Sequence, residues 1–398
     1  MWRLGFFFHE MAFGLLSVFL PLYVISIHGS LFDIGIMTSV ALFLAIPASF
    51  FWGYICDKTR RYKRYILISF LASGIILYLF TLSTSVTVLI LLYGVMSVLH
   101  IAHEPPKNVL IAELYSREDW ERSFAFYEGF TEVGWLIGLV LGFLASTYGV
   151  SQVHTLLLCS ALNLVAFVAS VALVADPLLI FERGLVSIEK SVDFAYRGVS
   201  LASRAWDGTW TNGGLRKENV VAFCGGLVLF SLATSLLFTP MPVFIDNIAT
   251  AAALPSSIVF AIFVLNSGGA VAGYFSAGNR SNSETDKRNL ARIVLVRSFL
   301  ALVLLIGFVA PAYGVAFSTI ILILLGFAYA LFLVYTLSLS MELIPAGKTG
   351  LFNVLVGIGS AGGSFVGPVL AQTMGFQYAF AAAGFVFFLA YVSFKVFS

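Results

Sequence analysis

Charge is what this sequence is shortest of. Of 398 residues only 11% are Asp, Glu, Lys or Arg, while 60% are hydrophobic and the mean hydropathy is +0.98. Soluble domains carry roughly 25% charge, so a single water-soluble core is excluded and the chain reads as a polytopic membrane protein. Cysteine is scarce too. Cys56, Cys159 and Cys224 have no paired or CxxC spacing, which excludes a disulfide framework and a thiolate metal site. No P-loop or other nucleotide motif is present, so an ATP-driven pump is excluded. No nucleophile–base constellation with usable spacing appears, which argues against an enzyme and calls for no cofactor. A net charge of +2 is no nucleic-acid signature. The first apolar run, Leu4 to Ile27, is too long for a signal-peptide core and lacks a cleavage site, so it is read as a retained span.

What is present is a series of long apolar runs. There are twelve, at about 4–27, 34–54, 65–83, 87–113, 123–146, 153–175, 219–245, 255–277, 292–310, 313–342, 351–373 and 377–397. Each is long enough to cross a bilayer as a helix. With both termini on the cytoplasmic side, all 22 Lys and Arg residues fall on the inner side or in the inner halves of spans (Lys107, Arg297). The outer loops, such as HGSLFD and TYGVSQ, hold none, as the positive-inside rule requires. The longest polar stretch divides the chain into a first bundle (1–175), a cytoplasmic linker (176–218) and a second bundle (219–398). Within the linker SIEKSVDFAYRGVSLASRAW has the pattern of an amphipathic helix, although a plain tether explains the composition as well.

The halves echo each other. FLPLYVISI in the first run resembles FTPMPVFID in the seventh, aligning Pro21 with Pro240, and LIAELYS resembles LSMELIP, aligning Glu113 with Glu342. Duplicated halves around a central site are the architecture of alternating-access transporters. The stretch GYICDKTRRYKR, residues 53–64, resembles the loop motif of the major facilitator superfamily. Gly53, Asp57, Lys58 and Arg61 fit its pattern, while Arg60 replaces a glycine and Tyr62 displaces a basic residue. GWLIGLVLG (134–142) is similar to the family's glycine-rich antiporter motif, with Leu139 in place of proline, and GSFVGPVLA (363–371) keeps its Gly-Pro. The resemblance implies an all-α fold of twelve transmembrane helices in two pseudo-symmetric six-helix halves. It also implies a gating latch at Asp57 and Arg61 that holds the outward-open state. A purely topogenic basic loop would contain the same residues.

One stretch does not belong in hydrocarbon. HIAHEPPK, residues 100–107, places His100, His103, Glu104 and Lys107 at i, i+3, i+4 and i+7, on one helix face. Each such group costs about 3 kcal/mol at mid-membrane on insertion scales, so the face turns inward. Glu128 and Glu132 in the fifth run and His9 and Glu10 in the first are at similar depth. Glu104, Glu128, Glu132, Glu10, His100 and His103 are therefore the candidate proton-coupling groups. His9, Lys107, Trp135, Tyr329, Phe332 and Tyr335 are the candidate solute contacts. Simpler roles fit some of them: a structural ion pair for Lys107, interfacial snorkelling for His9 and Glu10, packing for His100 and the aromatics. HEPPK fails the H-E-x-x-H zinc pattern because its fifth residue is Lys107.

The expected function is proton-coupled transport of a small amphipathic or cationic organic solute by alternating access. Antiport and efflux are slightly favoured. The protein is expected to work as a monomer in the inner or plasma membrane, with lipid, solute and protons as its partners. Two other readings stand beside it: divalent-metal transport by the His/Glu cluster, and a non-transporting sensor on the same scaffold.

Overall fold

The computed structural model describes residues 2–114, 120–176, 220–277, 283–308, 311–343 and 349–397. These residues are helical almost throughout, and 12 helices are long and apolar enough to cross a membrane. In chain order they are α1 (Leu4–Ser26), α2 (Leu31–Thr59), α3 (Tyr62–Phe80), α4 (Val86–His100) continued by α5 (Glu104–Leu114), α6 (Trp120–Thr147) and α7 (Gln152–Leu173). There follow α8 (Val220–Phe238) continued by α9 (Met241–Ala251), α10 (Ser257–Ala277), α11 (Ser283–Val303), α12 (Pro311–Leu343), α13 (Thr349–Thr373) and α14 (Phe376–Phe397). The expected linker and its amphipathic stretch lie outside the described residues, apart from Asp176, whose carboxylate accepts the Lys63 backbone N–H at 2.7 Å.

Local chemistry sets the helix ends. Ser30 and Asp33 form a reciprocal capping box at the start of α2, satisfying two backbone donors that the first turn leaves over. At the other end Arg60 adopts φ 54°, and its N–H closes the helix onto the Cys56 carbonyl at 2.8 Å. Asp57 and Lys58, expected in a loop, are therefore the last turn of a helix, and only Arg60 and Arg61 connect it to α3. The seventh span breaks at Thr239–Pro240, because Pro240 has no N–H to continue the ladder.

The glycine stripes carry the close packing. A Cβ at Gly138 would run into the Met11 carbonyl of α1, and one at Gly14 into the Trp135 backbone of α6. Gly359, Gly363 and Gly367 in α13 oppose the backbone of α8 at Val228, Leu232 and Leu236 in the same way. With lipid outside, helices gain little from burying grease and gain most from such close approach. Gly138→Ala should thus cost about 1–3 kcal/mol, as overpacking does. Gly53→Ala, where an added Cβ meets nothing within 4 Å, should cost nothing. Thermal unfolding in detergent checks the pair, and equal stability of both variants would refute the packing account.

Two seams join the halves. Along α2 and α13 the Phe32 N–H donates to Gln372 Oε1 at 2.6 Å, Ser39 Oγ donates to the Ala361 carbonyl at 2.9 Å, and Gly35 lies under Pro368. Along α6 and α10, Gly142 lies under Phe260. Beyond the α2–α13 contacts, toward the face that carries the chain termini, Phe50, Phe51, Tyr54 and Asp57 are exposed. Exposed Phe43, Leu91 and Phe299 on outward faces are what hydrocarbon solvates, since spanning helices satisfy their own backbone and can leave apolar side chains to lipid.

Candidate functional site

The fourth span breaks where its prolines fall. Pro105 and Pro106 have no N–H, so the α ladder across them cannot form. The chain passes from α4 to α5 through a tight 3₁₀ turn at Ile101–His103. The His100 carbonyl, spared its α-helical partner, accepts the Ser69 hydroxyl of α3 at 2.7 Å and the Nδ1–H of His103 at 2.6 Å. A carbonyl only accepts, so the hydrogen-bond pattern assigns the hydrogen to His103 Nδ1.

His9 is anchored likewise. Its Nδ1 lies 2.6 Å from Asn163 Oδ1 on α7, and Asn163 is oriented by its own amide, which donates to the Cys159 carbonyl at 2.9 Å. His9 Nδ1 therefore donates, and with neutral rings its Nε2 accepts from His100 Nδ1 at 3.1 Å. Phe13 and Phe70 pack on the His9 ring, and Phe6 and Phe70 on His103. His9 is 0% and His103 1% exposed. His9, expected to touch solute, presents no surface to one. It belongs to the buried core of the first half.

The carboxylates are placed differently. Glu104 and Glu128 each keep 28% of their side chains accessible although they sit inside the bundle. Glu104 bridges the two regions: one oxygen lies 3.3 Å from His103 Nε2, the other 2.6 Å from Lys107 Nζ. Lys107 also lies 3.9 Å from Glu128 and 5.4 Å over the Tyr127 ring. Glu10 is within electrostatic range of Lys107, Glu104, Glu128 and Glu132. Glu132 accepts the hydroxyl of Ser267 on α10 at 2.5 Å, a hydrogen bond between the halves. The structure thus brings Glu10, Glu104, Lys107, Glu128 and Glu132 into one charged group, with His103 as its link to the histidine core.

The His103–Glu104 contact has a definite chemical requirement. Because Nδ1 already donates to a carbonyl, Nε2 faces the carboxylate with a lone pair unless it carries a second hydrogen. The two atoms form a hydrogen bond only with one proton between them, on the ring or on the acid.

The second half supplies less of the expected wall. Phe332 is 4% exposed and stacks on Phe230 with centroids 3.4 Å apart, and Tyr335 is buried as well. Tyr329 retains 37% and lies within electrostatic range of Glu132 and Glu128 across the interface. Trp135 is half-buried, its backbone pressed on Gly14. Asp57 and Arg61 are both exposed, and no ion pair joins them among the described residues. Ser69, Asn163 and Ser267 were missed by sequence reasoning. Each is a polar residue within an apolar run, and that was the available signal.

His9, His100 and His103 each bring a ring nitrogen within 4.8 Å of the others. To hold a divalent ion they would give up the His9–His100 hydrogen bond and displace packed phenylalanines. The arrangement as it stands is a hydrogen-bonded chain.

The sequence profile of the Major Facilitator Superfamily matches residues 4–355. No curated protein sequence matches the chain. Solved structures similar to it include a mutant of the nucleoside transporter NupG, at a TM-score of 0.74 and 14% identity, covering 100% of this chain and 99% of that one. NupG itself gives a TM-score of 0.70 at 14% identity, with 100% and 98% covered. The human organic anion transporter MFSD10 (TETRAN) gives 0.68 at 16% identity, with 99% and 97% covered. Identities this low speak for the fold.

Proposed function

Because the chain belongs to the Major Facilitator Superfamily, and is thus a multi-pass membrane transporter rather than an enzyme, we propose that it moves a small amphipathic organic solute by alternating access with protons as the driving ion. The observation that carries this reading is the His103–Glu104 junction, 3.3 Å across, where the ring's other nitrogen is already committed and a hydrogen bond to the carboxylate needs a proton between the two atoms. That junction joins a mostly buried histidine chain to carboxylates with accessible surface. Glu10, Glu128 and Glu132 extend it toward the second half, His100 extends it inward, and Lys107 balances the charge. Such groups inside a membrane bundle mark proton or substrate routes.

The solute meets Tyr329, Trp135 and the accessible edge of Lys107, while His9, Phe332 and Tyr335 support that wall from behind. Both solved neighbours named above are transporters of organic solutes, which favours an organic cargo over a bare ion. Asp57 and Arg61 latch the face that carries the termini when it closes. The Lys/Arg asymmetry supports a cytoplasmic side for this face, in a cell membrane. The glycine stripe of α6 and the apolar second half lean toward efflux.

The test uses the full chain in proteoliposomes with a trapped pH dye. Adding the right organic solute should produce a solute-dependent pH change that is absent with Glu132→Gln. Zn²⁺ or Mn²⁺ moving in place of organic solutes would transfer the reading to metal transport through the three histidines. Solute binding with no flux would leave a sensor.

A further inference from the structure

The second half holds a charge that the transport reading does not use. Arg297, on α11, is 0% exposed, and its guanidinium carbon lies 4.9 Å over Phe230, 5.0 Å over Phe387, 5.4 Å over Tyr329 and 6.0 Å over Phe238. One nitrogen, Nη1, donates to the Leu325 carbonyl at 3.2 Å. Nε and Nη2 have no hydrogen-bond partner. Among the described residues no carboxylate lies within electrostatic range, and Tyr329 is the one ionisable group that does.

Aromatic faces offset part of the cost of burying a cation, about 0.5–2 kcal/mol per good contact. They do not satisfy N–H groups, and an unpaired buried polar group is costly. The two unsatisfied nitrogens are adjacent on one edge of the guanidinium. That edge is a two-pronged donor fork, and its natural complement is a planar oxyanion. Tyr329, 37% exposed, packs against the guanidinium at 5.4 Å and is also within electrostatic range of Glu132 and Glu128 across the interface. The repeat supports the placement: it aligns Tyr329 with His100 and Phe332 with His103, so each half has its polar centre against the same part of its fourth span.

We propose that Arg297 is the anion-recognising group of the solute site, and that the solute is an organic carboxylate with an aromatic or apolar body. This rests on the transport reading and narrows it. The carboxylate enters past Tyr329, takes the Nε/Nη2 fork in a two-point hydrogen bond, and lays its apolar body among Phe238, Phe230 and Tyr329. The cationic solute that the first half's acidic groups suggest is disfavoured, because it would approach a buried cation while those acids already answer to Lys107.

The experiment is ligand-induced thermal stabilisation of the full chain in detergent. The probes are benzoate and 3-phenylpropionate, their amides as neutral isosteres, and sulfate at matched ionic strength. The acids should raise the unfolding temperature in a saturable way, with the amides at least tenfold weaker and sulfate inert. Arg297→Met should abolish the acid-specific shift without lowering the unliganded unfolding temperature, since an apolar side chain fills the aromatic box without an unpaired charge. Arg297→Lys, which keeps the charge but loses the fork, should bind the acids at least tenfold more weakly. Equal shifts from acids and amides overturn the proposal, as does an equal shift from sulfate or an undiminished acid shift in Arg297→Met. The acid–amide comparison needs no variant and decides the matter even if Arg297→Met does not fold. Acid-specific binding without proton movement in proteoliposomes would leave this inference standing and remove the proton coupling.

Discussion

Glu104→Gln will cut solute-coupled proton movement by at least about tenfold while solute exchange in the absence of a pH gradient continues. Among the described residues Glu104 is the one side chain joined both to the histidine core, at 3.3 Å from His103 Nε2, and to the ammonium of Lys107, at 2.6 Å. Hydrogen bonds to charged groups contribute about 1.5–3 kcal/mol each, and about 1.4 kcal/mol already corresponds to a factor of ten. The amide keeps the shape of the acid but can neither take up nor release the proton held at the junction. Exchange should survive because it needs only that the carrier reorient with solute bound. Trapped-dye proton flux and isotope counterflow, measured on the same vesicles, separate the two. Unchanged proton movement in this variant would remove Glu104 from the pathway, and loss of both activities would make it a structural group instead.

Lys107→Met will be the most destabilising substitution in the charged group, by about 3–5 kcal/mol, the usual cost of removing one partner of a buried ion pair. Its ammonium lies 2.6 Å from Glu104 and 3.9 Å from Glu128, and Glu10 adds a third carboxylate within range. Without it, like charges face one another where each already costs about 3 kcal/mol to insert. The double variant Lys107→Met with Glu104→Gln should recover part of the loss, giving a coupling of about 1–3 kcal/mol in a double-mutant cycle. Unfolding in detergent with added denaturant measures all four proteins. Additive losses would mean that Lys107 acts through packing alone.

Hydropathy made the spans legible, because hydrocarbon thickness fixes the length of an apolar run and satisfied backbone fixes its helicity. The charged group was legible for a related reason: Glu, Lys and His are too costly at mid-membrane to be there idly. Direction was not legible. His9 and Glu10 are neighbours in sequence and were both expected at the site, yet adjacent helical residues point about 100° apart. One enters the core against Asn163, and the other comes within range of the carboxylates. Asn163, Ser69 and Ser267 act across helix contacts between residues 31 or more positions apart, and one sequence does not say which spans touch. The same limit hid the distinction between Tyr329 and its helix mates Phe332 and Tyr335, which aromatic type alone cannot make. Arg297 counted as one more basic residue near the inner side. Only its ring of aromatics and its two unsatisfied nitrogens set it apart.

The tight turn at Ile101–His103 also sets an angle. Three residues wound at about 120° instead of about 100° turn everything after them by roughly 60° about the helix axis. Rewinding that turn to ordinary α geometry would unwind the same angle and carry Glu104 and Lys107 sideways around the axis while His100 stayed fixed. The fourth span is in this sense a crankshaft: a change of pitch over three residues becomes a lateral throw at the charged side chains below it.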